Sequence, residues 1–583
     1  MKILSLHCDY IKFKPVKKAI KQPEELSEER KKEKEIKEVL VIFTAVEKQD
    51  ESNKNILNQY IKNVEELAQQ VKAKNIVLYP YAHLSSQLSA PSFAQSLMQD
   101  AEKKMKENKK YNIERAPFGY YKEFELKCKG HPLAELSREI TSEGKESGKA
   151  KAEETKQVPI IEDKGEKIDY KQLLDQISRA KLDTRMLKDN DHRILGNRMD
   201  LFSFNDVAPG MVFWHNNGLI IKNELIKFWR EEHEKAGYQE ISTPQILDKK
   251  LWLISGHWDK YKENNFITEY EKRPFLIKPM NCPGGMLVYK TSTKSYKDLP
   301  LKVGELGVVH RYELSGVLGG LFRVIQFTQD DAHIFCTEKQ VEQEIVKIID
   351  LIEIFYKKFN LPYHMELSTR PEKRIGSDEV WDKAEKLLEN VLKKRKMKFK
   401  VNKGDGAFYG PKIDFHVEDS LGRTWQCSTI QLDFAMPERF DLKYTTEKNT
   451  LERPVMLHRV LYGSLERFLG VLLEHTNGNL PLWLSPIHAR VLSFTDRNIK
   501  ASEKFLRQLK DAGIRADSDF NSTTVNDKVR TAELQKIPLI ITIGDKEEEK
   551  GTIAVRARGE KLKFGISPEK FIKEIKEKIE KRD

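Results

Sequence analysis

The sequence predicts a multidomain protein that combines α/β and α+β folds. At 583 residues, the chain exceeds what one hydrophobic core supports. Strand-like and helical segments alternate in the first 140 residues and again after residue 485. Between these regions aromatic residues, prolines and glycines concentrate, and all seven tryptophans lie between residues 193 and 484. This density is typical of a large mixed sheet whose loops carry function.

The charge balance of the chain is basic. Lysine and arginine total 102 and aspartate and glutamate total 90, so the formal net charge is +12. This excess favours a polyanionic partner such as nucleic acid, although many basic proteins bind none. The hydrophobic fraction of 39% is low but sufficient for real cores.

Cysteine usage and hydropathy indicate the compartment. The five cysteines are widely spaced and form no Cys-x-x-Cys pair, which indicates a reducing environment rather than a disulfide framework. The apolar stretch at the N-terminus is too short for a signal peptide, and no apolar run approaches the roughly 18 residues that span a bilayer. We therefore expect a soluble, cytoplasmic protein.

Residues 1 to about 140 show alternating strand and helix patterns. Three apolar runs are strand-like and two longer stretches have helical periodicity: Ile3–Leu6, Val39–Ala45 and Ile76–Tyr79, then Ile56–Val71 and Phe93–Met105. The charged segment Glu24–Glu38 predicts an exposed loop or helix.

Two segments separate this region from the centre of the chain. Residues 143–167 are rich in Lys, Glu, Gly and Ser and have almost no large apolar side chains, which predicts a linker. Asp169–Leu187 has the pattern of an amphipathic helix that leads into the next domain.

The C-terminal region after Ser485-Pro486 predicts a compact α/β unit of about a hundred residues. Strands are predicted at Arg490–Phe494, Ile537–Ile543 and Thr552–Arg558, and helices at Lys500–Ala512 and Pro568–Arg582.

Three segments in the centre carry unusual local chemistry. Gly237–Pro244 places a strand directly before a proline, which suits an edge or interface strand. Val309–Leu314 is a strand that ends in an Arg-x-Glu pair, and a glycine-rich turn and Phe322-Arg323 follow it. Leu461–Phe468 begins a helix with a small residue and an arginine. Each segment alone is also compatible with a hairpin, a core helix or an exposed arginine.

Together and in this order, the segments resemble the three signature motifs of class II aminoacyl-tRNA synthetases. Further strings narrow the resemblance to the threonyl-tRNA synthetases: Asp200–Phe204, Ala208–His215, Lys278–Gly284, Phe327–His333 and Trp425–Phe434. The resemblance covers essentially the whole chain. It implies a catalytic core built on an antiparallel sheet, an N-terminal domain similar to D-aminoacyl-tRNA deacylases and a C-terminal α/β anticodon-binding domain. We expect an editing domain at 1–140, a charged linker and helix at 141–190, the catalytic domain at 191–484 and the anticodon-binding domain at 485–583.

The implied activity is ATP-dependent ligation of threonine to tRNA(Thr) through threonyl-adenylate. Negative charge at the α-phosphorus must then be neutralised from several sides, and the planar, permanently charged guanidinium suits this task. By resemblance, Arg311 holds the α-phosphate, Arg323 holds the phosphate tail, and Arg467 lies against the adenine and reaches the γ-phosphate. Phe327 would stack on the other face of the adenine and Glu313 would accept from its amino group, with Mg²⁺ accompanying ATP.

The same resemblance places one zinc ion per subunit on Cys282, His333 and His458, although their spacing reveals nothing by itself. One thiolate and two imidazoles leave a coordination position open. An apolar pocket discriminates only about a hundredfold between two amino acids that differ by a hydroxyl in place of a methyl group. A metal bound by the amino and hydroxyl groups of threonine would exclude valine. The implied substrate-binding residues are Met280, Gln329, Asp331, Tyr409 and Gln431.

Arg311, Arg467 and His257 are the implied catalytic residues. His257 matches a histidine proposed in the family to assist transfer to the tRNA hydroxyl, and an ordinary polar wall residue is the alternative. Two positions depart from the family pattern. Gly285 stands where bacterial relatives commonly have histidine, and Ile325 interrupts a usually basic strand. Both lie beside the implied ligands rather than on them.

A zinc site does not discriminate well between threonine and serine. Serine has the same amino and hydroxyl groups and lacks only a methyl group, which is worth roughly 1–3 kcal/mol in an apolar pocket. A second site that hydrolyses seryl-tRNA is therefore expected. Four strings resemble the editing domain of archaeal-type threonyl-tRNA synthetases: His7–Tyr10, Tyr79–Ser86, Ala116–Lys122 and His131–Ser137. By that resemblance the editing pocket is lined by His83, Tyr121, Lys122 and Glu135. The alternative is a folded but inactive tRNA-docking module.

Residues 486–583 resemble the anticodon-binding domain shared by the threonyl, prolyl, histidyl and glycyl enzymes. Phosphate contacts would position the tRNA while polar side chains read splayed bases. The implied tRNA-binding residues are Asn526, a candidate base reader, with the cations Lys528, Arg530, Arg556 and Arg558. A charged solvent face is the alternative for any single arginine here.

Two rival interpretations stay open. The first is a prolyl or histidyl synthetase on the same fold, and the zinc set argues against it. The second is a catalytically silent synthetase-like tRNA-binding protein, which would have lost an ATP arginine or a zinc ligand. The family's first motif, around Pro244, implies a homodimer. The other implied partners are tRNA(Thr), threonine and ATP.

Overall fold

The computed structural model describes residues 1–20, 23–85, 87–108, 110–129, 134–140, 174, 187–258, 265–419 and 422–583, except for the side chains of His83, Ser137, Glu139 and Ser315. The chain divides into two compact units, Met1–Glu166 and Lys167–Asp583. Most of the predicted linker and amphipathic helix lies outside the described residues. Within the described part, no helix has both the length and the apolar character that crossing a bilayer requires.

The N-terminal unit contains a six-stranded sheet in the order β4-β3-β2-β1-β5, with β6 also paired to β1. Its strands are β1 (Lys2–Lys18), β2 (Lys34–Ala45), β3 (Asn75–Pro80), β4 (Asn112–Arg115), β5 (Tyr120–Cys128) and β6 (Glu135–Glu139), and its helices are α1 (Ile56–Val71) and α2 (Pro91–Glu107). Strands β2, β3 and β4 run parallel, whereas β1 is antiparallel to each of its partners.

The two faces of this sheet are packed differently, because side chains alternate along each strand. Ile42 and Leu78 face the helices and share a hydrophobic cluster with Tyr60 of α1. Phe43 and Tyr79 point the other way into an aromatic cluster. The pocket described below takes residues from both clusters, such as Tyr79 from the aromatic one and Met98 from the one with the helices.

The prediction of an exposed loop or helix at Glu24–Glu38 is wrong at both ends. Strand β2 begins at Lys34, where the charged residues pair with β1 through backbone hydrogen bonds that need no apolar side chain. Glu24 is buried, and its carboxylate accepts from Arg115 Nη2 at 2.8 Å and from Phe118 N at 2.7 Å. A paired carboxylate can be buried because its charge and lone pairs are satisfied.

The centre of the second unit is an eight-stranded sheet in the order β16-β15-β17-β18-β21-β14-β13-β9. It is antiparallel except at β9–β13 and β15–β16, which are parallel. The strands of this region are β7 (Phe202–Ser203), β8 (Phe213–Trp214), β9 (Gln239–Glu240), β10 (Ile246–Asp248), β11 (Ile267–Tyr270), β12 (Arg273–Ile277), β13 (Leu301–His310), β14 (Gln326–Cys336), β15 (Tyr363–Ser368), β16 (Phe399–Asn402), β17 (Lys412–Glu418), β18 (Thr424–Asp433), β19 (Tyr444–Thr445), β20 (Leu451–Glu452) and β21 (Val455–Val460).

Helices cover one face of this sheet. The helices of the region are α3 (His192–Arg198), α4 (Asn216–Lys235), α5 (Lys249–Ser255), α6 (Cys282–Tyr289), α7 (Glu338–Lys358), α8 (Asp378–Lys394), α9 (Ala435–Arg439) and α10 (Leu465–His475). The apolar sides of α4, α7, α8 and α10 join one core with sheet residues such as Ile334, Ile430 and Leu457. The neighbours of these residues along each strand therefore point to the opposite face, which carries the polar cleft.

The C-terminal region forms a five-stranded sheet in the order β23-β22-β24-β25-β26. Its strands are β22 (Ala489–Ser493), β23 (Ala516–Asp519), β24 (Leu539–Ile543), β25 (Ile553–Ala557) and β26 (Lys563–Ile566), and its helices are α11 (Ile499–Asp511), α12 (Val525–Leu534), α13 (Asp545–Lys550) and α14 (Pro568–Lys581). Arg515 Nη1 donates to Glu224 Oε1 of α4 at 2.6 Å, which ties this region to the central core.

Candidate functional site

A cleft of about 270 Å³ lies on the polar face of the eight-stranded sheet. Its walls come from the β13–β14 connection, β14, β18, β21 and the start of α10. The cleft brings together twelve of the residues predicted from the sequence: Met280, Cys282, Arg311, Glu313, Arg323, Phe327, Gln329, Asp331, Tyr409, Gln431, His458 and Arg467. His257 and His333 do not line it and are buried behind its wall.

Three guanidinium groups enter the cleft from different elements. Arg311 follows β13 and lies 5.2 Å from the centroid of the Phe327 ring. Arg323 lies between β13 and β14 and contacts Glu313 at 2.9 Å. Arg467 lies in the first turn of α10, where its Nε donates to Phe322 O at 3.0 Å. Fixed cations in a shared cavity can neutralise a phosphate chain from several sides.

The start of α10 is held by a buried carboxylate that the sequence analysis missed. Asp330 is fully buried and accepts the backbone N–H groups of Leu461, Tyr462 and Gly463 at 2.9, 3.1 and 2.8 Å. Burial raises the pKa of Asp330 to about 7. Gly463 has a φ of +79°, and a Cβ there would lie 2.4 Å from Cys427 O, so this turn requires glycine.

A row of cross-strand partners crosses the floor of the site. His333 of β14 lies opposite His458 of β21, which in turn lies opposite Gln431 of β18. The rings of the two histidines are 5.0 Å apart and nearly perpendicular. Cys282 approaches this row from the first position of α6.

Cys282, His333 and His458 have ligand atoms within 4.8 Å of one another and are 2%, 1% and 5% exposed. His333 Nε2 is a buried nitrogen with no hydrogen-bond partner in the described residues. His458 Nε2 lies 2.8 Å from Asp433 Oδ2, so Nδ1 is the nitrogen that this ring can offer to a metal. Burial lowers the pKa of His333 well below its usual value, which keeps the ring neutral as metal ligation requires. The donor set and its burial fit a zinc ion.

The remaining predicted pocket residues surround this cluster. The Tyr409 hydroxyl donates to Gln431 Oε1 at 2.8 Å, and its ring centroid is 5.1 Å from that of His458. Asn281 Nδ2 donates to Asp331 Oδ2 at 3.4 Å. Burial raises the pKa of Asp331 to about 6, still below neutral pH, where the group is an anion that can accept from an ammonium.

His257 is enclosed in the wall beside this pocket. Its Nδ1 lies 2.8 Å from Ser255 Oγ and its Nε2 lies 3.0 Å from Met280 Sδ. Burial, followed by the charges of His458 and Arg311, lowers the pKa of His257 to about 3. At neutral pH the ring is therefore uncharged.

A second pocket, of about 480 Å³, lies in the N-terminal unit beside the ends of β2 and β3 and the start of α2. Tyr121 and Lys122 line it, and the Tyr121 side chain is 61% exposed. Lys122 Nζ donates to Pro117 O at 2.9 Å and to Tyr120 O at 3.1 Å. Burial lowers the pKa of Lys122 to about 8. The backbone of His83 lies in a short 3₁₀ turn beside the pocket, and its side chain lies outside the described set.

Glu135 does not join Lys122 in this pocket within one chain, contrary to the prediction. On strand β1, Lys122 is opposite Pro15 whereas Glu135 is opposite Leu6. At about 3.3 Å per residue, the nine positions between them correspond to roughly 30 Å. Glu135 instead lies beside Cys128, where its charge, after burial, raises the pKa of that thiol. Register, which the sequence does not reveal, separates the two residues.

The predicted anticodon residues fall into two groups. Asn526 and Arg530 are exposed on α12, and Arg556 and Arg558 of the β25 region are partly buried. Arg558 donates to Leu480 O at 3.1 Å and to Lys536 O at 2.5 Å, and burial lowers its pKa.

The prediction that Lys528 binds tRNA is wrong. It is only 2% exposed, and its Nζ donates to the backbone and hydroxyl oxygens of Ser493 at 3.1 and 3.2 Å. The α-helical period turns Lys528 inward while Asn526 and Arg530 stay outside. Lys528 stabilises the domain and is not presented to a phosphate backbone.

Other residues of the cleft also escaped the sequence analysis. Phe322 and Thr429 line it. Glu466, the buried residue before Arg467, does not line the cleft but accepts from Thr328 N at 2.8 Å and from Lys222 Nζ at 3.1 Å. Phe322 directly precedes Arg323, so its position in the motif was a usable signal. Glu466 gives no such signal, because a glutamate in a helix is normally read as solvent-facing.

Three family models match the chain. "Archaea-specific editing domain of threonyl-tRNA synthetase" matches residues 1–140, "tRNA synthetase class II core domain (G, H, P, S and T)" matches residues 265–476, and "Anticodon binding domain" matches residues 486–578. These matches confirm the predicted fold class, with an editing-type domain, a class II core and an anticodon-binding domain.

Similar proteins carry the name of one enzyme. A threonine–tRNA ligase of Desulforamulus reducens is 53% identical over 395 residues, which cover 68% of this chain and 62% of that protein. One of Syntrophomonas wolfei is 54% identical over 396 residues, which cover 67% and 62%. The chain thus spans about 62% of the length of these relatives.

A solved structure extends the comparison to three dimensions. The RNA binding domain of threonyl-tRNA synthetase from Cryptosporidium parvum has a TM-score of 0.65 and 40% sequence identity, covering 66% of this chain and 98% of its own. A relative that is this similar and almost completely covered, joined to three matching domain models, establishes that the chain belongs to the threonyl-tRNA synthetase family.

Proposed function

We propose that the protein is a cytoplasmic threonine–tRNA ligase, which activates threonine with ATP and esterifies it onto tRNA(Thr). The observation that carries this proposal is one cleft that holds three arginines and is lined by two members, Cys282 and His458, of a buried Cys/His/His cluster. Family membership supports it, as does the name shared by the curated relatives. The alternative of a catalytically silent tRNA-binding protein has no support, because Arg311, Arg323, Arg467 and all three metal-type ligands are in place.

In the first step, a carboxylate oxygen of threonine bonds to the α-phosphorus of ATP. The bond from that phosphorus to the bridging oxygen of the β-phosphate breaks, and Mg²⁺-bound pyrophosphate leaves with the electron pair. Arg311 neutralises charge that develops on the α-phosphate, Arg323 holds the leaving phosphates, and Arg467 reaches the γ-phosphate. Phe327 and Arg467 enclose the adenine, whose amino group donates to Glu313 or to the backbone beside it.

In the second step, a terminal ribose hydroxyl of the tRNA attacks the carbonyl carbon of the adenylate. AMP leaves with the electrons of the broken C–O bond, and the hydroxyl proton passes to a base. His257 stays a candidate for this proton, because its ring is neutral and lies against Met280 of the cleft. A single-turnover transfer rate close to wild type in His257→Ala would make His257 a wall residue.

We propose further that Cys282, His333 and His458 hold a zinc ion. When bound, the ion supplies a Lewis-acidic position that the amino and hydroxyl groups of an amino acid can occupy. Asp331 would accept a hydrogen bond from the amino group. The Tyr409–Gln431 pair would limit the space around the side chain, with Met280 and Gln329 completing the pocket.

Amino-acid-dependent exchange between ATP and pyrophosphate tests this proposal. Threonine should support strong exchange, serine weaker exchange, and valine none above background, because valine lacks the hydroxyl group. Equal exchange with threonine and valine would remove the metal-based account of selection, and exchange driven by proline or histidine alone would replace threonine as the substrate.

For the N-terminal unit we propose hydrolytic editing of seryl-tRNA in the pocket lined by Tyr121 and Lys122. The match of residues 1–140 to an editing-domain model supports this role. The buried ammonium of Lys122 could stabilise negative charge that develops on the ester carbonyl oxygen. If the Lys122→Met variant hydrolyses seryl-tRNA at the full rate, Lys122 does not take part in the hydrolysis.

We also propose a homodimer formed around the segment that ends at Pro244. Strand β9 in this segment is the edge of the eight-stranded sheet, and both of its residues are exposed, so a second copy could cover this edge. Sedimentation equilibrium should give twice the chain mass. An active species that sediments only as a monomer would contradict the dimer.

A further inference from the structure

A buried histidine outside the cleft connects two elements that carry its arginines. His192 is the first residue of α3 and is only 1% exposed. Its Nδ1 lies 2.6 Å from Glu474 Oε1 near the end of α10, and its Nε2 accepts the backbone N–H of Leu321 at 2.9 Å. Leu321 belongs to the turn that leads into Arg323.

These contacts settle the protonation of the ring. The Leu321 N–H can only donate, so Nε2 must carry a lone pair and the proton lies on Nδ1, which donates to Glu474. Asp191 and Glu474 also offer carboxylate oxygens that lie within 4.8 Å of a ring nitrogen and of each other, as the ligands of a cation would. However, Asp191 accepts from Arg193 Nε and Nη2, and Glu474 is paired with Arg423. The candidate ligand atoms therefore already have cationic or N–H partners, and this group is not a cation site. It is a hydrogen-bonded brace, by which we mean the chain from Glu474 through His192 to Leu321 N.

The brace holds the turn at Gly320–Phe322, which packs closely against His192. Gly320 has a φ of +55°, and a Cβ there would lie 2.2 Å from His192 Nε2. The ring of Phe322 is held between two others, with centroids 4.3 Å from His192 and 4.0 Å from Trp425, on which it stacks. The guanidinium of Arg423 lies 5.7 Å from the Phe322 ring.

Two cleft arginines depend on the position of this turn. The carbonyl of Phe322 accepts from Arg467 Nε at 3.0 Å, so a moved turn releases the guanidinium that the proposed function places against adenine. Arg323 is the next residue along the chain and lines the same cleft. A displaced Leu321 N–H therefore changes the placement of two cations at once.

We propose that His192 is a positioning residue for nucleotide binding: through its hydrogen bond to Leu321 N it sets the turn that places Arg323 and Arg467 on ATP. This inference rests on the proposed function, because it assumes that the cleft binds ATP. The Glu474–His192 pair would then affect the affinity for the nucleotide, whereas the residues around Cys282 and His458 would select the amino acid.

Two substitutions separate the hydrogen bonds of His192. In His192→Gln, the amide oxygen can reach the position of Nε2 and accept from Leu321 N. In His192→Asn, the shorter amide reaches only the position of Nδ1, so it can donate to Glu474 but leaves Leu321 N unpaired. Both variants are polar and neutral, and thermal unfolding followed by circular dichroism checks that each is folded.

The primary measurement is Mg²⁺·ATP binding by isothermal titration calorimetry with the full chain. We expect His192→Asn to raise the Kd for ATP about tenfold or more and His192→Gln to stay within about threefold of wild type. In the exchange assay, the KM for ATP should follow the same order while the KM for threonine stays constant. A merely structural role would move both KM values together or neither.

Two results would overturn the inference: equal ATP affinity in the Asn and Gln variants, or a larger loss in Gln than in Asn. If His192→Asn does not fold, Glu474→Ala serves in its place, since the unanchored ring should weaken ATP binding by a similar factor. A wild-type chain that binds ATP but shows no threonine-dependent exchange would refute the proposed function alone, because the comparison of ATP affinities would still stand.

Discussion

Cys282 and Cys336 are both buried thiols, but their surroundings differ. Cys282 lies against the imidazoles of His333 and His458, whereas Cys336 lies in the hydrophobic core at the end of β14. Without a cation, burial raises the pKa of either thiol, so neither would be a thiolate on its own. The two residues therefore provide a matched pair for testing the metal.

We expect Cys282→Ser to purify with little zinc and to lose threonine-dependent exchange by about a hundredfold or more, because a hydroxyl is a much weaker zinc ligand than a thiolate. Cys336→Ala, the control, should keep both its zinc and its activity. Metal content is measured by atomic emission after dialysis against a mild chelator. Full zinc content in Cys282→Ser would show that the metal, if bound, uses other ligands.

Lys122 shows how burial sets a pH response. Burial lowers its pKa from 10.5 to about 8, so the side chain is an ammonium at pH 7 and loses its proton as the pH rises through about 8. If the cation assists hydrolysis, the enzymatic rate on seryl-tRNA should fall between pH 7 and 9 after spontaneous hydrolysis is subtracted.

Lys122→Arg is the control for this pH response, because arginine stays charged throughout the range. Its rate, even if reduced overall, should not fall between pH 7 and 9. A profile that falls equally in both proteins would show that another group titrates.

At the scale of elements, the junction between β21 and α10 determines where Arg467 lies. Asp330 of the neighbouring strand β14 binds three consecutive backbone N–H groups of the junction and also accepts from Trp229 Nε1 at 3.2 Å. Ser464 caps the helix by accepting from Arg467 N at 3.2 Å. The helix therefore begins at a position fixed from two sides.

Asp330→Asn replaces one acceptor oxygen with an NH₂ group that faces backbone donors. Leaving buried donors unpaired costs about 1–3 kcal/mol, so the melting temperature should drop by several degrees. The KM for ATP should rise several-fold because Arg467 is less well placed. Asp511→Asn, at the exposed end of α11, should change neither quantity, and an unchanged melting temperature in Asp330→Asn would contradict the anchoring role.

At the scale of the whole molecule, the net charge of +12 supports tRNA binding only where the cations are exposed on the surface. Lys528 contributes a cation that is inside the C-terminal domain, whereas Arg530, two residues later, is exposed on the same helix. Only exposed cations can release counterions from a bound nucleic acid.

We expect Arg530→Ala to raise the KM for tRNA several-fold and to reduce the salt dependence of tRNA binding, while exchange in the absence of tRNA stays unchanged. Lys500→Ala, which removes an exposed cation from α11, is the control. Equal effects of the two substitutions on tRNA binding would indicate diffuse attraction rather than a contact at Arg530.

The sequence by itself determined the family, the order of the domains and the larger elements. Motifs such as Phe327–His333 are contiguous, and the periodicity of Ile56–Val71 is a local property, so neither requires knowledge of distant contacts. Helix α1 accordingly has the predicted limits. The residues of the cleft were named through the family's motifs rather than through their spacing.

Only the tertiary structure decided which named residues share a site. Strand register places His333 opposite His458 but separates Glu135 from Lys122, and helix orientation buries Lys528. The supporting residues His192 and Asp330 bind partners more than a hundred positions away in the chain. Such contacts depend on pairing between distant strands and helices, which no local pattern records.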